Sequence, residues 1–206
     1  MDKYAYSSVV NEYFLHVRIL TGVFVSLCMS RILASLTRYI QFKRKYKPNF
    51  LHIVWLITCS LFVVDWWWDV LNWNYGIKYS YASYVFIVLY AFSFYFLSAL
   101  IAPDNYDEYK DFYNYFKIIR FWFYGIFILN QISYDLLHCY ICEVSNYYII
   151  NFVFTSLMAV VILISIIMNR LRWDIIASVS ILFLQIILNL DEFWLSILNM
   201  DSLKFL

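Results

Sequence analysis

Glycine and proline are nearly missing from this chain, at 3 and 2 of 206 residues. That excludes a collagen-like repeat or a Gly/Pro-rich linker. It also leaves no material for a glycine loop that cradles a phosphate. Charge is scarce: Asp, Glu, Lys and Arg make up 14% of the residues and apolar residues 64%. A soluble domain carries about a quarter charged residues. So few charges cannot cover a water-facing surface, and a soluble globular fold is excluded. High hydrophobicity with a net charge of only +1 excludes disorder as well. Catalytic signatures are missing too, with no G-x-S-x-G, HExxH or GxGxD, so no enzyme is expected. What is left is an integral membrane protein.

A bilayer core about 30 Å thick is crossed by roughly 20 apolar residues of helix. Six stretches qualify: 14–40, 50–71, 81–101, 118–137, 147–168 and 175–190. Their apolar runs lack the alternation of a transmembrane barrel strand, and lipid requires each backbone group to be paired within its own segment. The expectation is an all-α, polytopic membrane bundle of about six helices in a single domain. The longest connection, 102–117, is acidic and aromatic and is expected to hold a short surface helix. The first 13 residues lack the basic start of a signal peptide and no A-x-A-like site follows, so the first helix is expected to be retained.

Basic residues accumulate on the cytoplasmic side of a membrane protein. Arg38, Lys43, Arg44, Lys45, Lys47, Lys110, Lys117, Arg120, Arg170 and Arg172 fall on one side. Lys3, Lys78 and Lys204 fall on the other, with Arg18 and Arg31 inside the first span. The bias places both termini outside, in a cell membrane. The basic loop serves orientation and anionic lipid, so no nucleic-acid partner is expected. All eight tryptophans are expected to anchor at the two interfaces.

Gly22, Ser26, Ser30 and Ala34 recur every four residues. Such a stripe lets another backbone approach closely, either a helix of the same chain, which is expected here, or a second copy in a homo-oligomer. Cys28 and Cys59 read as small buried apolar residues. Cys139 and Cys142 form a CxxC after His138, and a disulfide or free thiols are favoured over a redox or metal role. His16 and His138 lie at similar depth, but three histidines without a repeated spacing do not point to haem. No cofactor and no metal are expected.

The informative feature is the depth of the intramembrane polar residues. Spans two, four and six run in one direction. Asp65 and Asp69 share a face of span two; Gln131, Asp135 and His138 share a face of span four; Gln185 and Asn189 share a face of span six,. All fall in the outer halves. Span one opens with Glu12, His16 and Arg18 at that level, and Arg18 is expected to pair with Asp69. The inner halves offer only Arg31 and His52 as strong polar groups. Polar groups in lipid face a bundle interior or a water-filled cavity. One reading is therefore a shared acidic cavity open to the outside, which favours a small cation or a proton. The other is that these groups only hydrogen-bond between helices or sit among lipid headgroups.

The first hairpin, with Arg31, Arg38–Tyr39–Ile40, the basic loop, His52, Trp55 and Trp66–Trp67–Trp68, resembles the opening of uncharacterised small bacterial membrane proteins with about six spans. The likeness covers about the first 75 residues and implies a bacterial inner membrane; it carries no function. The functional expectation is a small cation or proton channel or transporter subunit, with Asp65, Asp69, Asp135, Gln131, Gln185, Asn189, Arg18 and His138 as its ligand or ion-binding residues. The alternative is a non-catalytic membrane interaction protein: an assembly subunit, a sensor or an immunity protein.

Overall fold

A computed structural model describes residues 3–42, 48–72, 80–103, 111–141 and 146–203, with side chains for 13–42, 48–71, 80–103, 111–137 and 151–190. Among these residues the protein is all-helical. The helices are α1 (Lys3–Gln41), α2 (Phe50–Asn72), α3 (Tyr81–Ile101), α4 (Phe112–Ile141), α5 (Asn146–Met168) and α6 (Leu171–Leu203). The basic loop 43–47 and Cys142 lie outside the described residues, as do the side chains of Glu12, His138 and Cys139.

Local chemistry sets the helix starts. The Asn49 side chain accepts from the His52 backbone N–H, and that of Asp111 from Asn114. Ser80 and Ser83 exchange side-chain and backbone hydrogen bonds in a capping box, satisfying donors that a helix leaves unpaired. Between α5 and α6 the chain turns in two residues. Asn169 adopts φ 47° there, a left-handed conformation that asparagine tolerates better than most residues. The segment 112–117, expected within a loop and its surface helix, is instead the first part of α4.

α2 is the hub, packing against α1, α3, α4 and α6. Five helices, α1, α2, α3, α5 and α6, are long and apolar enough to cross a membrane. α4 is long enough but more polar, and the distribution of its residues explains why. Arg120, Asn130 and Gln131 are buried, whereas Ile118, Phe121, Trp122, Leu129, Ile132 and Leu136 are exposed. From Ile118 onward its strongest polar residues turn inward and its outer face is apolar, as on its neighbours, while Asn114 and Lys117 near its start are exposed. Bulky apolar side chains cover the outside of the bundle generally, the reverse of a water-soluble protein.

The core corrects the expectation for the tryptophans. Trp68 and Trp122 are exposed, but Trp55 and Trp66 are buried. These two are eleven residues apart, three turns of helix, and so lie on one face of α2. Trp55 packs edge-on against Phe123 and Phe127 of α4, and Trp66 stacks on Phe94 of α3 at 5.2 Å. Their ring area fills the gaps between helices, which outweighs an interfacial seat for the indole N–H. The small-residue stripe is corrected too. Gly22 meets a neighbour, with Trp67 so close that an added Cβ would stand 3.1 Å from its ring. Ser26, Ser30 and Ala34 are exposed, and Ser26 turns its hydroxyl back to the Gly22 carbonyl. Cys28 and Cys59 are buried free thiols, as expected.

Candidate functional site

The polar faces of α2, α4 and α6 converge. Asp65 Oδ2 accepts from the Gln185 side-chain amide and from Asn189 Nδ2, the latter at 2.9 Å. One turn along α2, Asp69 Oδ2 accepts from the Tyr134 hydroxyl of α4 at 2.7 Å. These contacts hold three helices at one level. Around them lies a cavity of about 60 Å³ whose polar lining includes Asp65, Asp69, Gln131, Gln185 and Asn189, with Asn151 and Thr155 from α5. A water requires roughly 10–15 Å³ of such space, so the cavity has room for a few waters or a small ion. Among the described residues lining it none is basic.

Two polar atoms of the lining residues are buried without a hydrogen-bond partner. Gln185 is 5% exposed; its Nε2 donates to Asp65 and its Oε1 has no partner. The Trp66 indole Nε1 has none either. Buried polar groups are nearly always paired with protein or water.

The remaining candidates sit elsewhere. Asp135 is half-buried beside an apolar groove of about 350 Å³ between α4 and α5. Its hydrogen bond comes from Thr155, at a long 3.5 Å. Gln131, Thr155 and Met158 line both this groove and the cavity, so Asp135 borders the site across a shared wall. Arg18 does not take Asp69. Its Nη2 donates to the Leu71 carbonyl at 2.6 Å and its guanidinium lies 4.0 Å from the Phe14 ring. The last carbonyls of α2 lack intrahelical partners, and they draw the guanidinium past the carboxylate. His138 lies on α4 with its side chain outside the described set, and His16 is exposed.

A second polar cluster lies at the opposite end of α4, in the inner half for which the sequence offers only Arg31 and His52 as strong polar groups. Asp174, in the first turn of α6, is 1% exposed. Its Oδ1 accepts from Ser165 at 2.7 Å and from the Tyr124 hydroxyl at 3.1 Å. Arg120 of α4 approaches its Oδ2 at 3.4 Å and donates to the Ile166 carbonyl at 3.1 Å. The cluster ties α4, α5 and α6 together. His52 is engaged at both ring nitrogens, by the Tyr39 hydroxyl and by the Ile101 carbonyl, and it stacks on Phe112 at 3.9 Å. It is a packed polar group tying α1, α2 and α3.

Among the described residues no group of three or more His, Cys, Asp or Glu stands close enough to hold a metal. Compared with known proteins, the chain matches no family model, and no curated protein or solved structure is similar to it.

Proposed function

We propose that this is a multi-pass protein of a cell membrane that admits a small cation or a proton into the cavity around Asp65 and Asp69, as a small channel or transporter subunit. The observation that carries the reading is a cavity between candidate membrane-spanning helices that has two carboxylates and no basic residue among the described residues lining it. An acidic, low-dielectric pocket concentrates cations and protons, and intramembrane carboxylates commonly mark ion pathways. α4 is taken as the sixth span on the strength of its apolar outer face. The basic bias puts Asp65 in the outer half, with both termini outside. The resemblance of the first hairpin favours a bacterial inner membrane.

The second reading, a non-catalytic membrane interaction protein, is favoured by one observation. Ser26, Ser30 and Ala34 form an exposed face on α1 onto which a helix of another protein, or of a second copy, packs closely.

Flux into proteoliposomes separates the two. Purified protein is expected to dissipate an imposed proton or sodium gradient faster than protein-free vesicles. Flux equal to that of empty vesicles under every gradient leaves the interaction reading.

A further inference from the structure

We propose that the cavity coordinates a small monovalent metal cation of the sodium class, with the Gln185 side-chain oxygen as one of its ligands. This rests on the cation reading above and narrows it, replacing "cation or proton" by a partly dehydrated hard cation.

Asp65 Oδ2 receives a donor from Asn189 and another from Gln185. A carboxylate oxygen takes the amide nitrogen rather than the oxygen, so Oε1 is the end left over. That oxygen is buried, has no partner, and belongs to a side chain lining the cavity. A water can donate to that oxygen, but a cation satisfies it together with the negative charge of the two carboxylates beside it.

The donor set gives the class of ion. Asp65, Asp69, Gln185 and Asn189 offer carboxylate and amide oxygens; among the described residues lining the cavity there is no thiol or imidazole, and the one sulfur is the weakly coordinating thioether of Met158. Oxygen ligands select hard cations. Calcium takes about six to eight oxygens, rich in carboxylate, and magnesium usually keeps several waters. Here the carboxylates already accept from Gln185, Asn189 and Tyr134, and about 60 Å³ leaves room for one ion and one or two waters. A water on the ion also presents an oxygen that can accept from the unpartnered Trp66 N–H. Protonating a carboxylate offers that indole nothing.

The test is binding of radioactive sodium to the full-length protein in nanodiscs at neutral pH. Saturable binding is expected, displaced by unlabelled sodium and by lithium but not by choline. Gln185→Met removes the oxygen at similar side-chain length and should weaken binding at least about tenfold, the scale of a lost contact to a charged group. Asp65→Asn should weaken it as much. Each variant is compared only if it elutes as a single species and keeps its helical circular dichroism. The wild type alone can overturn the proposal, by binding no sodium saturably. If Asp65-dependent proton flux persists in that case, the metal-ion inference falls and the broader reading stands; if flux is absent too, both fall. Wild-type affinity in a folded Gln185→Met variant would remove Gln185 as a ligand.

Discussion

Asp174→Ala is expected to destabilise the bundle by about 3–5 kcal/mol, the range for breaking a buried ion pair by removing one partner. The carboxylate is 1% exposed and accepts from Ser165, Tyr124 and Arg120. Without it, Arg120 stays buried at 8% exposure and keeps its hydrogen bond to the Ile166 carbonyl. The Ser165 and Tyr124 hydroxyls lose their shared acceptor. The acidic group also sits in the first turn of α6, where the helix dipole favours a negative charge. Unfolding of the purified protein in mixed micelles measures the effect. Pairing Asp174→Leu with Arg120→Met should recover much of the loss, because no charge is then left uncompensated. A single-variant loss within about 0.5 kcal/mol, the scale of an ordinary surface substitution, would mean that the cluster holds nothing together.

Asp65→Asn is expected to cut flux at least about tenfold while leaving the fold intact. The two donors from α6 converge on one carboxylate oxygen, Oδ2. Asparagine can keep its own oxygen in that position, so the links to Gln185 and Asn189 survive. What is lost is the charge facing the cavity. A contact to a charged group is worth roughly 1.5–3 kcal/mol, and about 1.4 kcal/mol is a factor of ten. Flux in proteoliposomes at matched protein content measures it. A folded variant that conducts like the wild type would make Asp65 a strut between α2 and α6.

The convergence on Asp65 was legible because two regularities combine. Spacings of four put Asp65 with Asp69 and Gln185 with Asn189 on single faces, and helices running in one direction bring those faces to one depth. Rotation within a face is where the reading loses precision. Gln131 and Asp135 are also four apart, but that spacing turns the helix by roughly 40°. The turn takes Asp135 out of the cavity lining and into the groove against α5.

Neighbouring tryptophans defeat a depth argument for the same reason. Trp66 is buried and Trp68 exposed, although both lie near one level. The aromatic partners that bury Trp66 come from α3. Arg120 and Asp174 were missed because each lies at a span end, where a charge reads as a matter of topology. Their pairing across 54 positions leaves no local pattern. The contact of Arg18 with a backbone carbonyl is invisible to any scheme that matches side-chain charges.

The central claim is that α2, α4 and α6 enclose water between their polar faces, and thiol accessibility tests it most directly. In a background lacking the four native cysteines, Asp65→Cys, Asp69→Cys and Gln131→Cys place thiols at residues lining the cavity. Val64→Cys and Ile132→Cys place them on the exposed apolar exterior, where a bilayer excludes a charged reagent. With intact cells and silver ion outside, a membrane-impermeant thiol reagent small enough to enter the cavity, the first three are expected to react and the last two to stay unreacted. Equal silence at all five positions would contradict the account.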